Sequence, residues 1–454
     1  MFHLGRRTLT AFTALGLGAA LTLAADPVAQ AAPLQPGTGK FLGTLSPAQV
    51  KAELAVQAVP QLSTAIEETA PVCSDVPAGA ASPTAGPGVL CTRIAPLPSP
   101  RSSILADPAH DDDDDQGSGE NGVSSCSVVA NSWTEQRLSY CYNLNLTSTF
   151  INTKTGAVST AIFMVVGQAT LKPRSGSWKE DGLITMVSGG GDLASAIVKF
   201  VADCSSPCSA RQENPLLAST GVLMAPGASA ASSITYTDSP ASGDEDFQVP
   251  NYSFFSPPSR VSSTNNPVVW SSLSRIRCDK TMERNTVTGC VVSDVRPVLD
   301  LPIDDKYGAA AASYAWAQLY LSNHPGAADS PLTRLDDKAT RIANRTNTCE
   351  EGSTVPFVRD DDLVPTDSCD EYPFAGTYEG GTNGALCAEI VPLLENGSWN
   401  FYEFDHSRPV TKNEPCIRAH VPLQQNTDAG SKYSGFISSQ HVIDGEKFTV
   451  NLHF

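Results

Sequence analysis

SYCYNLNLTSTF, residues 139–150, sets Tyr140, Tyr142, Leu144 and Leu146 two apart with polar residues between them. That period is the mark of a half-buried strand. NTKTGA (152–157) follows as a turn, and VSTAIFMVVGQATL (158–171) reads as the returning strand. GLITMVSGGG (182–191), SSITYTDS (232–239) and NPVVWSSLSRIRC (266–278) repeat the theme of short strands broken by Gly, Ser and Asn. Residues 123–300 are therefore expected to form a β-rich, sandwich-like domain with no evident catalytic constellation.

Upstream the composition changes. Arg6 and Arg7 precede an apolar run, Ala11 to Ala25, that is too short to span a bilayer, and Ala29-Gln30-Ala31 gives a cleavage signal. Residues 1–31 thus read as a secretory signal peptide, which predicts a secreted, extracellular protein with no stable membrane association. Residues 32–122 are rich in Pro, Ala, Gly and Asp and include five successive aspartates, Asp111–Asp115. Such a segment is expected to be disordered, except for a helix in LSPAQVKAELAVQAV from Leu45.

The chain has 12 cysteines, an even number in an exported protein, which argues for disulfides. Neighbouring couples give the simplest pairing, 73–91, 126–141, 204–208, 278–290, 349–369 and 387–416, although spacing alone does not fix connectivity. No CxxC pair occurs, so a zinc site is disfavoured. The formal net charge of −18 argues against a protein that holds nucleic acid by charge alone.

Residues 301–345 read as a helical connector. DDKYGAAAASYAWAQLYLSNHPG, from Asp304, is Ala-rich and ends at a Pro-Gly turn. SPLTRLDDKATRIANRTNTC predicts a second helix, capped by Ser330 with Pro331 at its first position.

The stretch CDEYPFAGTYEGG, residues 369–381, gathers three acids and three aromatics next to a glycine pair. Downstream stand QQNTDAGSKYSGF and HVIDGEKFTVNL. Together these segments resemble the NucA/NucB deoxyribonuclease family, over roughly Cys349 to the C-terminus. RCDKTM…GCVVSDVRPVL and the segment from Ser330 look like the amino-terminal extension of longer secreted members. The resemblance implies an overall α+β chain, in which residues 346–454 form a small ββα-metal-like nuclease domain holding one divalent cation, Mg²⁺ or Mn²⁺. It implies DNA as substrate, Asp370 as general base with Glu371 beside it, Glu379 as a catalytic or metal-side acid, and Asn426 on the metal. His441, Lys432 and Lys447 are the expected phosphate contacts. The sequence departs from the family at Gln425, where an Asp is common.

The chemistry of these residue types stands apart from the resemblance. Phosphodiester hydrolysis needs an activated water and neutralisation of charge on the phosphoryl and leaving oxygens. A free Asp, with a pKa of about 3.9, is a weak base, and a neighbouring carboxylate or burial would strengthen it. Each residue also has a structural alternative: Asp370 and Glu371 could serve a cap or turn, Glu379 could hold the glycine turn, and Asn426 could be a turn residue. Tyr372 and Phe374 read as core. The competing function is a non-catalytic extracellular binding protein, with the β-rich domain as the working part; under the nuclease reading that domain positions or restrains the enzyme.

Overall fold

The structure, a computed structural model, describes residues 39–54, 62–77, 87–95, 130–259, 266–282 and 288–454. The leader, the aspartate run and Cys126 lie outside the described residues. Among the described residues strand accounts for 44% and helix for 17%, and the N-terminal region is rich in strand.

Three long strands, Ser139–Asn152, Val158–Thr170 and Ser177–Gly189, pair antiparallel in chain order at the centre of a nine-stranded sheet. The first turn forms because Asn152 Oδ1 accepts from the amides of Lys154 and Thr155 at 3.1 and 3.2 Å, and Gly156 takes φ +71°. A four-stranded sheet built on Ala196–Cys204 and Pro250–Phe255 shares one apolar core with the first, and Phe163 meets Phe254 at 5.2 Å. At its centre lies the buried carboxylate of Glu180. Tyr140, Tyr142 and Tyr252 each donate to it at 2.7 Å and Tyr236 at 3.3 Å, which satisfies an acid that water cannot reach.

The segment 32–122, expected to be disordered, needs correction wherever it is described. Val72–Val76 and Gly88–Ile94 form an antiparallel pair bridged by Cys73–Cys91, and Gly88–Ile94 pairs on with Ser139–Asn152. The strands find partners beyond their own neighbourhood, and local composition carries no sign of that. The disulfides 204–208, 278–290, 349–369 and 387–416 are also present as expected.

A second core is assembled from both ends of the chain. Its elements are β1 (Phe41–Leu45), α1 (Pro47–Glu53), β2 (Val298–Pro302), α2 (Gly308–Tyr320), β3 (Leu332–Thr333), α3 (Lys338–Cys349), β4 (Asp367–Tyr372), β5 (Ala388–Glu395), β6 (Ser398–Glu403), β7 (Ile417–Pro422), α4 (Leu423–Ser439) and β8 (Lys447–His453). One sheet has the order β1-β6-β5-β7-β4 and a smaller one β2-β8-β3. β1 pairs antiparallel with β6, so that Leu45 stands opposite Trp399. Leu45, Val50 and Leu54 are buried in the same cluster as Leu301, Phe401 and Leu452. The first core, from Val76 to Val295, thus sits in the chain between α1 and β2.

Eleven successive residues of α2, Gly308–Gln318, are buried. The run of alanines makes this feasible, because small side chains let α2 lie close to β4, β5, β7, β8 and α4 at once. The second helix departs from expectation. It begins at Lys338 with Asp337 as its cap, 2.8 Å from the Thr340 amide. Ser330-Pro331 leads instead into β3, which is claimed by pairing with β8.

Buried charges join the two cores. Arg137 and Arg277, from the first, hold Glu446 at 2.8 and 3.1 Å, and both donate to the His441 carbonyl at 3.2 and 3.0 Å. The His441 ring is bonded to Asp279 at 2.8 Å. His441 has φ +47°, a conformation that costs a non-glycine residue energy and that these two arginines hold in place.

Candidate active site

β4 pairs antiparallel with β7, and α4 follows β7 without a break. Alternation along β4 sends Asp370 and Tyr372 to one face and Cys369 and Glu371 to the other. On the first face, the Tyr314 hydroxyl of α2 donates to Asp370, 2.8 Å to Oδ2 and 3.0 Å to Oδ1. Tyr314 also stacks on Tyr372 at 4.8 Å, and Tyr372 donates to the Pro325 carbonyl at 2.8 Å. Phe374 meets both rings edge-on, at 5.2 and 5.0 Å. Asp370 is left with 5% exposure.

Burial is the main force on Asp370 and pushes its pKa up to about 8; the nearby Glu371 adds to this, and the Tyr314 hydrogen bond opposes it. Glu371 is pushed up to about 7, again by burial first, against the pull of Arg345. Its carboxylate lies 3.3 Å from the Cys349 sulfur. Cys349, Cys369 and Glu371 converge as metal ligands would. The two sulfurs are joined in a disulfide, so they offer no thiolate.

Asn426, in the first turn of α4, donates to the Ser368 hydroxyl at 3.2 Å and to the Cys369 carbonyl at 2.8 Å. Its Oδ1 accepts no hydrogen bond among the described residues and lies beside the strand that carries Asp370. A carboxylate and an amide oxygen are the donor types a hard divalent cation takes, with water completing its shell, so these residues fit Mg²⁺ or Mn²⁺.

Gln425 has a different task. Its Oε1 accepts from the Ala309 amide at 2.8 Å and its Nε2 donates to the Asp305 carbonyl at 3.2 Å. It therefore pins the start of α2, the helix that brings Tyr314 to Asp370. A carboxylate there could not make the second bond.

The remaining expected residues are placed elsewhere. Both oxygens of Glu379 are used on β3, accepting from the Thr333 amide at 2.8 Å and hydroxyl at 2.7 Å. It ties down a turn in which Gly381 has φ +81° and a Cβ would meet Asn344 at 2.1 Å. His441 is fully buried on Asp279 and cannot meet a substrate, which corrects its expected phosphate contact. Lys447 is exposed at the start of β8, opposite Thr333. Lys432 lies half-buried on α4.

Sequence reasoning missed the link from Tyr314 to Asp370, and it set aside His420, which fits no metal-ligand spacing, without seeing the polar group behind β4. There His420 is stacked between Phe357 and Phe404, with ring centres 4.3 and 3.8 Å away. It is bonded to Asp367 at 2.7 Å and faces Glu389 at 3.5 Å. Burial works against its charge, yet the two carboxylates prevail and raise its pKa. Register puts His420 opposite Cys369, on the other face of the sheet from Asp370. An aromatic at Tyr314 in a helix was legible; its partner 56 residues on was not.

No curated protein and no solved structure matches this chain. Residues 320–451 match the family model described as deoxyribonuclease NucA/NucB, so the C-terminal part of the chain is similar to that family.

Proposed function

We propose that the protein is a metal-dependent DNA endonuclease acting outside the cell, with Asp370 as general base. The observation that carries this reading is Asp370 itself. It lies inside the family match, beside Asn426, in an environment that moves its pKa to about 8. A base is most effective when its pKa lies near the working pH, and an ordinary Asp falls far short. β4, β7 and α4 supply two antiparallel strands and a helix, the elements a ββα-metal site requires.

In this reading Asp370 takes the proton of the attacking water. Tyr314 holds the carboxylate in one orientation, and Glu371 acts through charge from the opposite face. Asn426 Oδ1, with Asp370 nearby, would hold the cation, which when bound neutralises charge on the phosphoryl and leaving oxygens. Glu379 organises the turn and takes no part in chemistry. Extracellular action is supported by five disulfides and by the leader-like start; no helix among the described residues is long and apolar enough to cross a membrane.

The test is plasmid nicking by the full oxidised chain with Mg²⁺ or Mn²⁺, then with EDTA, beside Asp370→Asn. Metal-dependent nicking that the substitution abolishes is the expected result. Equal nicking by the variant removes Asp370 from the mechanism. The second reading, a non-catalytic extracellular binding protein, is favoured by one observation, the near-complete cover of Asp370 by Tyr314. No nicking under any condition would select it.

A further inference from the structure

A groove of about 650 Å³ runs along the outer face of α4, between that helix and the segment from Val295 to Asp300. Arg296, Lys306 and Lys432 line it. None of the three has a carboxylate partner among the described residues. Arg296 donates only to the Ala328 carbonyl, at 2.8 Å, and the Lys306 ammonium sits 5.2 Å from the Tyr307 ring centre. The two acids in the lining pair with none of these cations, although both keep their charge. Asp300 accepts from Asn451 at 2.7 Å and contacts His453 at 3.1 Å, and Asp428 accepts from Gln424 at 3.0 Å. Elsewhere the chain spends its arginines on carboxylates, as at Arg137, Arg277, Arg408 and Arg418. Three cations without an ion-pair partner, against two acids, gathered along one open groove are therefore notable in a protein of net charge −18.

We infer that this groove is a track for the phosphodiester backbone of DNA, built jointly by α4 and by the segment that leaves the first core. The inference rests on the nuclease reading and extends it. Lys432 lies six residues beyond Asn426 on α4, about 9 Å along the helix axis. Six residues also turn the helix by about 600°, so Lys432 lies roughly a third of a turn around α4 from Asn426, and a strand in the groove reaches Asn426 by passing around the helix. Arg296 and Lys306 precede residue 320 and so lie outside the family match. This chain thus supplies part of its substrate track from sequence that the family domain does not contain.

The experiment uses the full chain carrying Asp370→Asn, so that DNA is bound and not cut. Fluorescence anisotropy of a labelled 20-base-pair duplex is followed from about 50 to 200 mM salt, the range over which phosphate contacts are lost. Arg296→Glu, Lys306→Glu and Lys432→Glu should each weaken binding several-fold, and each should flatten the slope of log K against log salt by about 0.9. Lys154→Glu, an exposed control in the turn at 152–157, should change neither. Unchanged affinity and slope in all three groove variants, with wild-type nicking intact, would overturn the track and leave the nuclease standing. Neither binding nor nicking by any form of the chain would overturn both.

Discussion

Tyr314→Phe removes one oxygen atom and tests how Asp370 works. The Tyr314 ring stacks on Tyr372 at 4.8 Å, and Phe keeps that packing. What is lost is a hydroxyl within 3.0 Å of both Asp370 oxygens. A hydrogen bond to a charged group contributes about 1.5–3 kcal/mol, and one pKa unit corresponds to ~1.4 kcal/mol. The bond favours the carboxylate over the neutral acid, so its loss raises the pKa from about 8 by one unit or more. A base must be deprotonated. At pH 7, a rise of about one unit lowers the active fraction roughly tenfold, and the difference vanishes well above the new pKa. The assay is the initial rate of plasmid nicking from pH 6 to 10 at saturating Mg²⁺, with Asp370→Asn as the floor. The expected result is an acidic limb displaced to higher pH and a common plateau. A limb that does not move would refute the role given to the hydroxyl. A rate raised at every pH would mean that Tyr314 only covers the site.

Folding raises the Asp370 pKa, so its contribution to stability is present below the unfolded value, about 3.9, and is lost as pH rises through about 8. Thermal melts should therefore show wild type losing stability from pH 6 to pH 9, with Asp370→Asn flattening that loss; equal slopes would contradict the burial. Leu45→Ala, in a strand outside the family match, should cost about 2–5 kcal/mol in the core that holds Asp370. Urea unfolding monitored through hydrogen exchange of β6 would show it, and unchanged protection of Ser398–Glu403 would deny β1 its place. Glu446→Gln should cost about 3–5 kcal/mol by leaving Arg137 buried without a carboxylate and Arg277 with Asp279 alone, and a calorimetric loss under 1 kcal/mol would mean that the cluster is not buried in solution. Glu379→Gln should reduce stability by about 1 kcal/mol and spare the nicking rate, whereas a hundredfold loss of rate would return Glu379 to the chemistry.

The strands of the first core were legible because Tyr140, Tyr142, Leu144 and Leu146 alternate without interruption, and the same four residues are buried there. The family likeness was legible at 369–381, where acids and aromatics stand in an order specific enough to be recognised, and the match over residues 320–451 includes that stretch. What failed was everything decided at long range. FLGTL carries no sign that its partner lies near residue 400, and Ser330-Pro331 looks like a helix start until β8 takes the following residues. His441 reads as a surface base in its own segment; Asp279, more than 160 residues earlier, makes it an interior one. Gln425 looked like a defect in a metal site, and only the backbone of α2 shows what a neutral amide does there.

The placement of β1 and β8 has a consequence for synthesis. A growing chain carries Leu45 through more than 350 residues before Trp399 arrives opposite it. Closing so long a loop is slow, although its entropic cost grows only with the logarithm of length. The last strand is needed as well, since β8 joins β2 to β3 and Gln318 of α2 donates to the Val450 carbonyl at 3.0 Å. The helix that carries Tyr314 to Asp370 is therefore fixed only after the C-terminal residues have emerged. Chains released before residue 447 would lack the strand that anchors α2. The order of strands alone leaves the face that carries Asp370 unassembled until β8 has been made.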